Sequence, residues 1–199
     1  MRRTSILFLA GLLAACSSPQ DPTEENFTAA IQNYYDQSPV CFKLNVHFPY
    51  ELNDTKYNSE SDKKVFNELE AIGLLNSSKT ANGVTFALTD EGKEKVKRDE
   101  FGDIPHNNST FCYGSYKVVA VSDATKQGEE WGHTFSVIKF KLEMQDVDSW
   151  VKESDVLKEE INSIQKNIDD IGSVRKSEAA VILTNNGWVH SKLFYNDNT

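Results

Sequence analysis

Apolar residues recur with a helical period from Thr23 onward, at Phe27, Ala30, Ile31, Tyr34 and Tyr35, which predicts an amphipathic helix. Thr23 is placed to act as its N-cap, and Glu24 and Glu25 fall in the first turn, where the positive end of a helix favours carboxylates. Ser38-Pro39 stops it. Val40 to Phe48 reads as a short strand ended by Pro49, and Asn53 to Ser59 is polar. A second helix spans 61–75, with Val65, Phe66, Leu69 and Ile72 on one face and Gly73 closing it. Ala81-Asn82-Gly83 signals a hairpin turn. Val84, Phe86 and Leu88 then alternate as a strand, and Thr89 caps a short charged helix from Asp90 to Arg98.

The period changes after Glu100 to Thr110, a Gly/Pro/Asn-rich boundary. Phe111 to Ser122 is strand-like, with Tyr116, Val118 and Ala120 expected on one face and Lys117, Val119 and Val121 on the other. Asp123 to Trp131 is a polar turn region. His133 to Met144 alternates most clearly: Ile138, Phe140, Leu142 and Met144 point one way, Lys139, Lys141 and Glu143 the other. One buried and one wet face suit an antiparallel sheet. Asp148 to Ile171 predicts one long helix, in which Leu157, Ile161, Ile164, Ile168 and Ile171 form a heptad-like seam. That seam suits a sheet of the same chain or a partner helix. Gly172 ends the helix, and Glu178–Thr184 and Trp188–Tyr195 form a last hairpin across Asn185-Asn186-Gly187.

The expected fold class is therefore α+β. A helix-rich part at 23–105 precedes a β-β-α-β-β part at 106–199, whose antiparallel sheet curls around the long helix. The run Leu69-Glu70-Ala71-Ile72-Gly73-Leu74-Leu75, the Asn82-Gly83 turn and Leu88-Thr89-Asp90-Glu91-Gly92 resemble the helix, wing and closing helix of winged-helix domains, over 65–98. In most such domains the middle helix or the wing reads DNA. This segment lacks the basic content for phosphate contacts, so the resemblance implies a shape suited to binding protein. The element order of the second part also resembles cystatin-like or NTF2-like rolls, an analogy of fold that carries no function.

The N-terminus sets the setting. Arg2 and Arg3 precede an apolar stretch, Ile6 to Leu13, and then Ala14, Ala15 and Cys16. The stretch is too short to span a bilayer and has the layout of a secretory signal. Leu13-Ala14-Ala15-Cys16 resembles the type II signal peptide of bacterial lipoproteins. The resemblance implies removal of residues 1–15, lipidation of Cys16, a linker at 16–22 and a membrane attachment facing the periplasm. In enterobacterial members an Asp after the cysteine retains the protein at the inner membrane, so Ser17 implies the outer membrane. Losing two arginines and no acid takes the formal charge from −9 to about −11. Such acidity argues against nucleic acid as a partner. With Cys16 used by lipid, Cys41 and Cys112 remain, and in an exported protein such a pair is expected to form a disulfide.

Chemistry is sparse. His47, His106, His133 and His190 show no metal-ligand spacing, and no nucleophile elbow or glycine-rich phosphate loop is present. No catalytic residue, metal or cofactor is expected. Trp131, Trp150 and Trp188 sit at the edges of predicted elements, where they serve the core or, exposed together, a binding surface. The reading is a lipid-anchored, non-enzymatic protein of the binding type. Its expected partner is an envelope protein, with neutralisation of a toxin as one option. The alternative is a small-ligand carrier or envelope sensor with a pocket in the C-terminal roll.

Overall fold

The structure, a computed structural model, describes residues 18–53, 60–81, 83–98, 109–130 and 132–196. Cys16, Asn82, His106 and Trp131 lie outside the described residues. In chain order the elements are α1 (Glu24–Gln37), β1 (Val40–Leu44), β2 (Tyr50–Asn53), α2 (Glu60–Ala71), β3 (Leu75–Lys79), β4 (Gly83–Leu88), α3 (Asp90–Lys95) and β5 (Val96–Arg98). They continue as β6 (Ser109–Ala124), β7 (Gly128–Glu130), β8 (His133–Gln145), α4 (Ser149–Glu153), α5 (Asp155–Glu160), α6 (Asn162–Asp169), β9 (Val174–Thr184), β10 (Gly187–His190) and α7 (Ser191–Asn196). The fold is α+β. One antiparallel sheet has the order β1-β6-β8-β9-β10, with β5 added to β6 and β7 to β8, and a second has the order β2-β4-β3.

Local chemistry fixes the ends of the first two helices. The Thr23 side chain accepts a hydrogen bond from the Asn26 N–H at 3.2 Å, as its N-cap position requires. Gly73, with φ of +92°, ends α2. Beyond it the Leu74 N–H donates to the Leu69 carbonyl and the Gly73 N–H to Glu70, the paired bonds of a left-handed helix terminus.

Two cores share the large sheet. In one, Phe27, Ala30 and Ile31 of α1 cover Val118, Ile138, Phe140, Leu142, Val181 and Trp188. In the other, Val65, Phe66 and Leu69 of α2 meet Leu75 and Phe86 of the small sheet and Phe42, Phe111 and Tyr113 of the large one. Val151, Leu157 and Ile164 close that second core. Thus α1 and β1, from the part expected at 23–105, are built into the sheet of the second half. Cys41 and Cys112 lie directly opposite each other on β1 and β6 and form the disulfide.

Four expectations need correction. The long helix is three short ones. Ser154 leaves helical geometry, accepts from the Leu157 N–H at 3.1 Å and donates to the Glu68 carboxylate at 2.6 Å, so it caps α5. Ile161 is extended at φ −124° and ψ 91° and separates α5 from α6. The breaks keep Leu157 and Ile164 fully buried, where a straight helix drifts off its seam. The seam packs within the chain as far as Ile168, with Ile161 and Ile168 against the same core, and its last member, Ile171, is 41% exposed. Next, β6 shifts register between Val118 and Ala120. The extra residue of this bulge exchanges faces, so Ala120 lies opposite exposed Lys141 while Val121 lies opposite buried Phe140. Third, Ser191 to Asn196 form a helix rather than the end of a strand. Last, residues 18–22 are not a free linker. The Gln20 amide donates to the Thr184 and Asn185 carbonyls, and the Trp188 indole N–H donates to the carbonyls of Gln20 and Asp21 at 3.1 and 3.2 Å.

The bridge joins residues 71 apart in sequence, and closing a loop of that length in the unfolded chain is worth about 4 kcal/mol. Cys41→Ser with Cys112→Ser is expected to lower the unfolding free energy by roughly 2–4 kcal/mol. Denaturant titration of the double variant beside the oxidised parent checks this, and an unchanged midpoint refutes it.

Candidate interaction face

The large sheet has an inner face, covered by α1 and α4 to α6, and an outer face. On β8 every second residue from Ser136 to Met144 is buried, and Lys139 and Lys141 between them are exposed. The outer rungs between β8 and β9 are Phe135 opposite Ile182, Val137 opposite Ala180, Lys139 opposite Glu178, Lys141 opposite Lys176, and Glu143 opposite Val174. On the other side Lys117 of β6 stands opposite Glu143. The face therefore grades along its strands from apolar to charged.

Each half holds a concavity. A trough of about 560 Å³ is lined by Lys139, Lys141, Lys176 and Glu178, together with Ser122, Phe140 and Ser177. A second hollow of about 280 Å³ lies under α7, between Phe135, Val137, Ala180 and Ile182 of the sheet and Ser191 and Tyr195 of the helix. Val119 at 41% and Val174 at 53% are exposed on this face, and Tyr195 at 58% overhangs its hollow. Exposed apolar groups gathered on one face mark a contact surface more than scattered ones do.

Charge sharpens this. Lys139 pairs with Asp123 at 3.3 Å, an exposed contact worth less than about 1 kcal/mol. Lys141 and Lys176 oppose each other on one rung, and neither has an ion-pair partner among the described residues. Like charges directly opposite destabilise a sheet, so this rung costs the isolated chain stability.

The tryptophans do not form one surface. Trp150 packs beside Phe42 and Tyr113 in the second core and donates its indole N–H to Asp148 at 3.0 Å. Trp188 packs edge-on to Phe27 in the first core. Trp131 lies outside the described residues. Cys16 does too. Among the described residues no three His, Cys, Asp or Glu side chains converge as a metal-binding group, and no helix is long and apolar enough to cross a membrane.

Sequence reasoning missed the outer face as a unit. Lys139, Lys141 and Glu143 were legible as the wet side of a strand, but their partners on β9 follow three helices later in the chain. Lys176 also precedes the strand expected from Glu178. Only the register joins them. Comparison of the chain with protein-family models, curated proteins and solved structures found no match.

Beyond the rim of this face lies one buried titratable group. His190 is only 4% exposed, stacks on Tyr34 with ring centroids 4.1 Å apart, and accepts the Lys192 N–H at Nδ1, 3.1 Å away. Burial, and then the Lys192 charge, lower its pKa from 6.5 to about 4. The folded protein keeps this ring neutral at pH values where the unfolded chain protonates it. Its contribution is full above pH 6.5 and is lost as the pH falls from there toward 4. Between pH 7.5 and pH 5 the parent is expected to lose about 2 kcal/mol relative to His190→Asn, which has no group titrating there. Urea titrations of both proteins at the two pH values check this, and parallel losses refute it.

Proposed function

We propose that this chain is a lipid-anchored protein of the bacterial envelope, non-enzymatic, which works by docking a protein partner on the outer face of its large sheet. The observation that carries the docking reading is the gathering on that one face of two concavities, exposed Val119, Val174 and Tyr195, and the unpaired Lys141–Lys176 rung. Exposed apolar groups beside charges of both signs support a contact in which apolar burial is joined to charge complementarity with a partner. A partner carboxylate between Lys141 and Lys176 would relieve their repulsion. Both concavities are on the surface, which supports docking over carriage of a small ligand inside the roll. The helix–hairpin–helix segment at 65–98, with its winged-helix likeness, serves here as scaffold, since Phe66, Leu69 and Phe86 are spent on the core.

The anchoring reading rests on Leu13-Ala14-Ala15-Cys16. Its mechanical consequence follows from the docked segment 18–22. Only residues 16 and 17 remain between the lipid and a fixed point, a reach of roughly 7 Å. The anchor therefore holds the β9–β10 turn close to the bilayer instead of paying out a flexible tether.

Two experiments test the two parts separately. Labelled palmitate is expected in the parent and absent from Cys16→Ser, which should also leave the membrane fraction; label retained in the variant overturns the anchor. For docking, a photo-crosslinking residue at position 119 or 141 in living cells is expected to give one discrete heavier product, and the same residue at exposed position 94 none. Equal products at all three sites, or none at any, overturn the outer-face assignment.

A further inference from the structure

Among the described residues, the outer face ends at an open strand edge. β10 pairs only with Val181 to Thr184 of β9. From Val174 to Ala180, β9 has β8 on one side and no strand on the other among the described residues. Among the described residues no side chain hydrogen-bonds to the main chain of that edge, while the Ser177 side chain bonds to Tyr35 of α1 on the inner face. The opposite edge of the sheet is treated differently. Where β6 runs past the end of β1, Gln32 of α1 accepts the Val118 N–H at 2.8 Å and donates to the Tyr116 carbonyl at 3.1 Å. One amide side chain thus substitutes for a strand at that edge. Open edges pair with other chains unless they are guarded.

The residues at the β9 edge are Val174, Arg175, Lys176, Ser177, Glu178, Ala179 and Ala180. Charges on an edge are a common guard, but a guard has to repel a second copy. This one does the opposite. If two copies pair antiparallel about a two-fold axis at Ser177, Lys176 falls opposite Glu178 of the second copy, and Glu178 opposite its Lys176. Val174 falls opposite Ala180, and Arg175 opposite Ala179. Directly opposed side chains have Cβ atoms about 5 Å apart, within reach of an ion pair. The pairing also resolves the unfavourable rung. Lys176 would lie between Lys141 of its own chain and Glu178 of the second copy, and Glu178 between Lys139 and the second Lys176.

We propose that β9 is a homodimerisation strand, and that two copies join edge to edge through the self-complementary Lys176–Glu178 pair into one continuous sheet. The contact is isologous, each side using the same residues, as a two-fold interface requires. It shares the Lys141–Lys176 rung with the proposed docking trough, and its test reads self-association rather than binding of another protein.

The test uses the full chain in two differently tagged forms, co-expressed and solubilised from whole cells in mild detergent, which recovers both membrane-bound and free protein. Parent with parent is expected to co-purify. Lys176→Glu with itself places two carboxylates opposite each other twice, and Glu178→Lys with itself does the same with two ammonium groups. Each homotypic pair is expected to lose at least about tenfold in recovery. Lys176→Glu mixed with Glu178→Lys restores both ion pairs and should recover the parental yield, which also shows that neither variant has failed to fold. The proposal is overturned if the parents do not co-purify, if either homotypic variant recovers like the parent, or if the mixed pair fails with them.

Discussion

The structure depends on one strand. β6 runs for 16 residues and belongs to both cores. Its first half gives Phe111 and Tyr113 to the core under α2, and its second half gives Val118 to the core under α1. The hinge between these roles is reinforced locally. Cys112 is bridged to Cys41 beside the first half, and Gln32 bonds the main chain at Tyr116 and Val118 just beyond. Loosening β6 exposes both apolar clusters at once, so the two halves have no separate stability to fall back on. The bridge restrains the first half of the strand, between Phe111 and Tyr113 of one core, and Gln32 restrains it beside Val118 of the other.

The same strand creates the outer face. A sheet with one buried side usually leaves a wet side of scattered charges. Here the bulge after Val118 puts Val119 and Ala120 outside and returns Val121 to the core. The outer surface gains an apolar element beside the lysine row, and the core keeps its packing. The Lys141–Lys176 rung has no role in the fold, because it adds repulsion and buries nothing. Sequences tend to break local rules where function or assembly requires it, and this rung meets the proposed docking trough on one side and the open edge on the other.

Much of the local structure was legible in the sequence. The cap at Thr23, the cap at Thr89, which accepts the Gly92 N–H at 3.0 Å, the turn at Gly73 and the alternation of β8 all follow from residue type and spacing. Elements decided by distant partners were not. Ser154 ends a helix because Glu68, 86 residues away, receives its hydroxyl. Val121 turns inward because a bulge shifts its register against β8. Residues 18–22 have the composition of a linker, yet they are held by the β9–β10 turn and by Trp188. The candidate face failed to show for the same reason: it exists only once β8 and β9 are in register. Single tryptophans drew notice by size, and those described went to separate cores.

Anchor, edge and face constrain one another. Antiparallel pairing of two β9 edges sets the two-fold axis perpendicular to the sheet, and the β9–β10 turns then lie seven residues to either side of Ser177, roughly 45 Å apart. In the proposed anchored dimer, two lipid anchors leaving near those turns would reach one bilayer together with the axis along the membrane normal and the sheet parallel to the surface. The side on which the chain leaves is fixed by its first contacts. Residues 20 and 21 bond to Trp188, whose ring belongs to the inner core, and α1 continues across the inner face. On that proposal the bilayer would lie on the inner side, below the helices, and the lysine trough with its apolar neighbours would face away from it. The three proposals are therefore mutually consistent, since a docking surface on such an anchored dimer would have to point that way for a partner to reach it.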